Sequence, residues 1–528
     1  MASPIGSVGR PAWASHLPAG VDPASVDLLA QESLPRAWAA QLARAPEAPV
    51  VRMAGDGQWL TAGELDARSR TVAARFAAAG LRPGERVLFS AGASVELVVA
   101  YVAAHRLGLV VVPVNTAYTE RELDHIVGDA EPAAAVVDDE QRAQWLADVR
   151  AVWDPSVEVA GDTGDPPPLD QATRDDLALI GYTSGTTGAP KGAMLSSGNL
   201  LASAEALRIA WRWSPEDRLV LALPLFHMHG LGVGLHGTLV AGASTVLLPR
   251  FDVDAVLDAA AAHDATLFFG VPTMYTRLAG SPRAAELARL RLLVSGSAPL
   301  PSTLHERLQA LTGQRVLERY GMTETAMNVS NPYDGERRAG SVGLPLPGVE
   351  LRLERGEVLL RGPKVFAGYW RRPDATAEAF DPAGWFRTGD LAEQDDDGYL
   401  RIVGRSKELI ISGGFNVYPR EVEDVLRQHP SVADVAVAGV PSEEWGETVV
   451  AWVVPAAGSS EGGAATPAGA SKGAEADTRA APFDPDALLA FAAGRLAGYK
   501  RPRQVHTLEQ LPRNALGKVV KGDLPGRS

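Results

Sequence analysis

The chain contains no cysteine. Disulfides, thiolate metal sites and a cysteine nucleophile are therefore excluded, and any thioester chemistry must use a thiol brought from outside. No run of about 18 apolar residues occurs, so a membrane-spanning helix is not expected. The N-terminal stretch has no basic start followed by an apolar core; Pro4 and Pro11 precede Trp13, and Asp22 and Asp27 follow. A signal peptide is thus not expected, and the cytoplasm is the expected compartment. Positive charge is in deficit: 50 Lys and Arg against 64 Asp and Glu leave a net charge of −14. That balance argues against a nucleic-acid surface, while a local basic patch for a small phosphorylated ligand remains compatible with it. No internal repeat is found.

What is present is length and apolar content. At 528 residues with 46% hydrophobic residues, the chain exceeds one compact core and should form two or more domains. Residues 58–140 alternate helix and strand signals. Thr61 with Glu64, and Thr119 with Glu122, have capping-box spacing, Leu65, Val72 and Phe76 form a helical stripe, and Gly80 can close that helix. Helices are expected near 62–79 and 94–107, and strands at 86–90, 109–113 and 133–137. The rhythm returns with strands at 177–180, 218–223, 244–248, 266–269, 291–294 and 315–317. Such alternation implies an α/β fold with a mostly parallel sheet covered on both faces. Beyond Gly404 the pattern changes to a strand at 408–411, a Gly413-Gly414 turn, a helix over 419–428 and strands at 435–438 and 448–454, enough for a small α+β domain. Residues 456–482 hold nothing to bury and are expected to be a disordered insertion.

The segment Gly181-Tyr182-Thr183-Ser184-Gly185-Thr186-Thr187-Gly188-Ala189-Pro190-Lys191-Gly192 gathers backbone donors, hydroxyls and one cation in a single loop suited to a triphosphate. It is not a Walker A loop, because Pro190 stands where that motif needs glycine and Gly192 where it needs a magnesium-binding hydroxyl. Four further clusters follow. Tyr320-Gly321-Met322-Thr323-Glu324-Thr325 puts a carboxylate at a strand end, where ligands of open α/β sheets bind and where magnesium would find a hard oxygen. Trp385-Phe386-Arg387-Thr388-Gly389-Asp390 offers an acid to ribose hydroxyls or to a helix cap. Gly404-Arg405 offers a guanidinium, and Pro512 to Lys518 a glycine turn carrying one lysine.

In this order the motifs resemble the adenylate-forming superfamily, which contains acyl-CoA synthetases, adenylation domains of peptide synthetases and firefly luciferase; the resemblance spans about residues 30–525. It implies an N-terminal extension over 1–28, a large N-terminal domain over 29–404, a hinge at 405–407 centred on Lys407, and a small mobile C-terminal domain over 408–528. It implies ATP, Mg2+ and coenzyme A as cofactor and co-substrates. By position, Thr183, Ser184, Gly185, Thr186, Thr187, Gly188 and Lys191 would cradle the phosphates, and Gly296, Ser297, Ala298, Tyr320, Gly321 and Thr323 would line the nucleotide pocket. Asp390 and Arg405 would hold the ribose, Glu324 the magnesium, and Lys518 would bridge the α-phosphate and the acid. Gly413, Gly414 and Arg501 would meet CoA. The chain ends ten residues after Lys518, so no fused carrier protein is expected and free CoA is the expected acceptor.

The acid should be chosen between residues 225 and 330. Segments there, with Leu225 to Leu231 and Pro249-Arg250-Phe251, resemble the malonyl-CoA synthetases. That resemblance implies that Arg250, helped by His229 and Ser295, meets the distal carboxylate of a small dicarboxylic acid, malonate or methylmalonate, with Met322 closing the far wall. An arginine buried beside a ligand should have an anionic partner, since leaving it unpaired is costly. Phe415 to Pro419 looks more like general acyl-CoA ligases, and the 456–482 insertion departs from the common pattern. A fatty or aryl acyl-CoA ligase is therefore the alternative, and a silent nucleotide-binding scaffold the reading outside enzymes.

Overall fold

The computed structural model describes residues 11–55, 57–156, 167–183, 190–412, 415–442, 444–456, 483–514 and 517–527. Its contacts group into two units. The first comprises Met1–Glu354, Val358–Thr388 and Gln394–Arg401; the second comprises Arg355–Glu357, Gly389–Glu393 and Ile402–Ser528. Asp390, which the sequence assigns to the large N-terminal part, thus groups with the smaller unit, and the division near residue 404 falls at Arg401/Ile402.

The first unit is α/β. A six-stranded sheet runs in the order Ala151–Trp153, Ala134–Val137, Arg86–Ser90, Val110–Pro113, Leu177–Thr183 and Lys191–Ser196. A nine-stranded sheet has at its centre Leu317–Met322, Leu292–Ser295, Leu267–Gly270, Arg218–Leu221, Ser244–Leu247 and Pro49–Met53, all parallel. In these two sheets the antiparallel pairing lies at the edges, where Leu60–Thr61, Ala326–Ser330 and Lys191–Ser196 return as hairpin arms. The central strands are buried on both faces, so they read as unbroken apolar runs such as Leu267-Phe268-Phe269. Helices start where the sequence supplies caps. The Thr61 and Glu64 side chains and backbones form a reciprocal box at Ala62–Ala78, Glu122 accepts from the Thr119 amide at 2.8 Å, and Ser94 caps Val95–Arg106.

The second unit shows how period-two alternation builds two cores. In the paired strands Val432–Ser442 and Gly446–Pro455, Val435, Val437, Val449, Ala451 and Val453 face the helices Pro419–Leu426 and Pro485–Ala493. Ala436, Ala438, Val450 and Trp452 face the other way, against Leu511 and Leu524. A one-residue slip would exchange the two sets.

Three expected elements move. The strand expected at 315–317 runs Leu317–Met322, so Tyr320 lies inside it rather than after it. The strand expected at 408–411 becomes a tight turn, Ser406–Glu408, followed by Ile410–Ser412; Glu408 is held in that turn by Lys521 at 3.5 Å. The helix expected to reach 428 ends at Leu426, because Pro430 bars helical geometry at the residue before it. The 457–482 part of the expected insertion lies outside the described residues, and no described helix is long and apolar enough to cross a membrane.

Candidate active site

The Gly/Thr-rich loop joins two antiparallel strands, Leu177–Thr183 and Lys191–Ser196, in register Tyr182 with Gly192 and Thr183 with Lys191. Ser184, Gly185, Thr186, Thr187 and Gly188 lie outside the described residues; the stems carry the geometry. Thr183 Oγ1 donates to the Lys191 carbonyl at 3.4 Å. The Tyr182 hydroxyl donates to Asp129 at 2.7 Å, and Asp129 also pairs with Arg372 at 2.8 Å. Burial and then that carboxylate keep the Tyr182 phenol protonated far above its ordinary range. The loop's root is thereby tied to two other elements.

Tyr369 joins the loop to the metal candidate. The Lys191 ammonium lies 5.2 Å from its ring centroid, and its hydroxyl donates to Glu324 Oε1 at 3.1 Å. Glu324 is buried in the short turn Thr323–Thr325 at the end of Leu317–Met322, as its position at a strand end foretold. Tyr369 was not singled out in the sequence, although an aromatic in Gly368-Tyr369-Trp370 was the available signal.

A second group sits where the parallel strands end. Gly296, Ser297 and Ala298 follow Leu292–Ser295, and Ser297 holds a left-handed φ of 68°. Its hydroxyl lies 3.2 Å from His229 Nδ1. Ser295 is 0% exposed and His229 1%, and Ser295 Oγ and His229 Nε2 have no hydrogen-bond partner among the described residues. Burial, then the charge of Arg319 and the neighbouring His227 hold His229 well below the usual imidazole range, so it is neutral at pH 7. His227 is lowered to about 4, by burial and then by Arg319. Tyr320 and Met322 share one strand, with the Tyr320 hydroxyl 3.9 Å from the Met322 sulfur, and Gly321 lies between them.

Arg250 departs from expectation. It is exposed in the bend after Ser244–Leu247, because Pro249 ends the strand and carries the next residue past the sheet. Its neighbour Phe251 instead packs beneath Arg277, 5.0 Å from the ring centroid. The buried cation of this region is Arg319, 4% exposed, which the sequence reading passed over. An arginine inside the strand Leu317–Met322 was its signal.

The second unit gathers the other candidates. Arg405 Nε donates to Asp390 Oδ1 at 2.9 Å, with Asp390 buried. Lys518 follows the turn from Asn514, whose side chain accepts from the Lys518 amide at 3.0 Å. Lys518 is exposed, while loss of hydration and then Arg405 lower its ammonium, with Glu408 and Asp390 opposing. Lys407 lies in the turn Ser406–Glu408, and Arg501 Nε is taken by the Leu496 carbonyl at 2.8 Å. Gly413 and Gly414 lie outside the described residues.

Two family models match this chain: that of the AMP-binding enzymes over residues 38–370, and that of the AMP-binding enzyme C-terminal domain over 421–518. The chain belongs to the AMP-binding enzyme family. It is an acid–CoA ligase of the adenylate-forming superfamily, with that superfamily's large α/β domain and smaller C-terminal domain. A feruloyl-CoA synthase from Amycolatopsis sp is 38% identical, covering 93% of this chain and 98% of its own. ATP-bound MatB from Rhodopseudomonas palustris is 40% identical with a TM-score of 0.83, over 93% of this chain and 98% of its own. A malonyl-CoA ligase, in a ternary product complex with methylmalonyl-CoA and AMP, is 43% identical with a TM-score of 0.64, over 90% of this chain and 99% of its own. For this acid–CoA ligase, the family therefore fixes the reaction class, while relatives of two substrate classes match it.

Proposed function

We propose that the enzyme activates a small dicarboxylic acid, malonate or methylmalonate, as its acyl-adenylate and passes the acyl group to CoA. The observation that supports this reading is His229, 1% exposed, whose Nε2 has no hydrogen-bond partner among the described residues and would stay unsatisfied against a hydrocarbon tail. A malonyl-CoA ligase among the similar structures agrees with it.

In this reading a carboxylate oxygen of the acid attacks the α-phosphorus of ATP in line, and the bond to pyrophosphate breaks. The thiol sulfur of CoA then attacks the acyl carbon, and AMP leaves with the electron pair. Thr183 and Lys191 hold the departing pyrophosphate together with the loop residues between them. Asp390 and Arg405 hold the ribose, Tyr320 and Gly296 to Ala298 the base. Two anions must meet in the first step, so a cation is needed where charge develops, and Lys518 supplies it. For the second step, rotation at Lys407 would withdraw Lys518 and present Gly413, Gly414 and Arg501 to CoA.

Glu324 fits magnesium. It offers one buried carboxylate that accepts from Tyr369, a hard oxygen for an ion that takes its other ligands from phosphates and water. When bound, magnesium would neutralise phosphate charge.

ATP–pyrophosphate exchange with malonate, methylmalonate, acetate, octanoate, benzoate and ferulate tests the reading. Malonate should give the highest kcat/KM; a higher value for ferulate or octanoate would overturn it. A second reading, an aryl or medium-chain acid, is favoured by a cleft lined by Phe89, Leu97, Pro113, Phe226, Leu231 and Leu235, and by the feruloyl-CoA relative.

A further inference from the structure

The helix Glu120–Ala130 touches the phosphate-loop hairpin at both of its stems. Its Leu123, Ile126 and Ala130 are buried in one core with Leu88, Val110, Val112 and Ala135 of the six-stranded sheet, and the Thr119–Glu122 contact holds its first turn, so the helix is a fixed support. His125 and Asp129 stand four residues apart and share one face of it. Asp129 Oδ2 accepts from the Tyr182 hydroxyl at 2.7 Å, on the stem that enters the loop. His125 Nε2 lies 3.1 Å from the Pro190 carbonyl, on the stem that leaves it. A carbonyl only accepts, so Nε2 carries the proton and donates. The two anchors also touch each other, since the His125 and Tyr182 rings meet edge to face with centroids 6.5 Å apart. A third tie runs through Trp370, whose indole donates to the Asp129 carbonyl at 3.0 Å and whose amide donates to the Gly192 carbonyl at 2.8 Å.

Each anchor is one residue from a group that the nucleotide reading uses: Thr183 follows Tyr182, and Lys191 follows Pro190. Side chains alternate across a strand, so seating the Tyr182 ring on the helix sends Gly181 and Thr183 to the opposite face. That face meets the turn Thr323–Thr325, because a Cβ on residue 181 would collide with the Thr323 side chain. The helix therefore lies behind the first stem, and the Glu324 turn in front of it. Arg372, 2.8 Å from Asp129 Oδ1, balances the carboxylate and leaves its other oxygen to Tyr182. We propose that Asp129 and His125 are positioning residues of the adenylation step, fixing the two stems so that Thr183 and Lys191 meet the departing pyrophosphate together. This assignment rests on the reading of Thr183 and Lys191 as the holders of pyrophosphate. Fixing both stems in advance matters, because a misplacement of about 1 Å can cost about 10²-fold in rate.

The test separates the half-reactions, using whichever acid of the exchange panel the wild type turns over best. Asp129→Ala should lower ATP–pyrophosphate exchange by about 10- to 100-fold, the worth of hydrogen bonds to a charged group, and His125→Leu by about 3- to 10-fold, that of a neutral one. Thioester formation from a supplied acyl-adenylate involves no pyrophosphate and should keep its wild-type rate. His125→Gln, whose side-chain amide can also donate to the Pro190 carbonyl, should recover part of the loss; no recovery would overturn that contact as the cause. In a Lys191→Ala background His125→Leu should cost far less than in wild type, because the group it positions is gone. Equal losses in both half-reactions, or the same fold-loss from His125→Leu in both backgrounds, would overturn the assignment, since a structural role acts on every step. Full exchange in Asp129→Ala or in His125→Leu, beside a loss in Lys191→Ala, overturns it for that residue and leaves the reading of the stems standing. Full exchange in Lys191→Ala overturns that reading, and the positioning role with it. If Asp129→Ala does not fold, Tyr182→Phe decides the same arm, because it removes one hydroxyl and keeps the Asp129–Arg372 pair. A loss confined to exchange in Tyr182→Phe supports the assignment, and full exchange overturns it for Asp129.

Discussion

Two places in the molecule, one in each unit, treat positive charge in opposite ways. In the first, Arg319 is 4% exposed, with Nε and Nη2 unpartnered among the described residues, and its charge is felt by His229, whose Nε2 is likewise unpartnered among them. In the second, cations near the turn that bears Lys518 have acids at hand: Arg405 pairs with Asp390, Lys521 with Glu408 and Glu423, and Lys500 with Glu421. The first arrangement leaves buried donors that no described side chain satisfies. The second holds charges in a fixed pattern regardless of any ligand. A buried unpaired donor discriminates strongly, because the wrong ligand leaves it unsatisfied. A charge that keeps its own network contributes field at the moment it is needed.

The largest test of this contrast is Lys518→Ala. If the second unit supplies field for adenylation only, ATP–pyrophosphate exchange should fall by about 10²- to 10³-fold, as on loss of one oxyanion-stabilising donor. Thioester formation from a supplied acyl-adenylate should persist. Equal losses in both half-reactions would remove the distinction. Next in size is Asp390→Ala, which strips Arg405 of its partner at 2.9 Å. The KM for ATP should rise by about 10- to 100-fold, the worth of hydrogen bonds to a charged group, while kcat at saturating ATP changes little. A change confined to kcat would mean that the pair acts on chemistry and not on nucleotide binding.

Much of the second pattern was legible in the sequence. Trp385 to Asp390, Gly404-Arg405 and Pro512 to Lys518 each carry their chemistry within a few residues, so order and spacing are enough to find them. The hairpin around the phosphate loop was half legible: its strands and Lys191 were read, but not Tyr369, which reaches both Lys191 and Glu324 from a segment far along the chain. Arg319 was illegible for a deeper reason. Its importance lies in what is missing around it, and a missing partner is a property of packing among Leu292–Ser295, Leu317–Met322 and the His227 to His229 segment. Arg250 came from the resemblance alone, and the strand that delivers it through Pro249 cannot say how much water its guanidinium meets.

Tyr369→Phe probes the bridge between loop and acid. Loss of the hydroxyl donated to Glu324 at 3.1 Å should cost about 0.5–1.5 kcal/mol in kcat/KM and raise the magnesium concentration needed for half-maximal rate. The ring beneath Lys191 is kept, so Tyr369→Leu should cost more. Equal effects of both substitutions would mean that the Lys191 contact contributes nothing.

The smallest effect separates burial for binding from burial for packing. His105 is 2% exposed, lies among the rings of Trp38, Tyr101 and His236, and is lowered from 6.5 to about 3 by loss of hydration alone. Between those values the unfolded chain binds a proton that the folded protein refuses, so stability is full above pH 6.5 and declines as pH falls towards 3. At pH 5.5 the loss is about 1 kcal/mol for one such histidine. His105→Phe keeps an aromatic ring in the cluster and removes the proton uptake, so its melting temperature should fall less between pH 7.5 and 5.5 than that of wild type. The ratio of kcat/KM for malonate to that for butyrate should not move, because this ring serves packing; a shift in that ratio, or an unchanged pH slope, would show that the two kinds of burial are not separable in this unit.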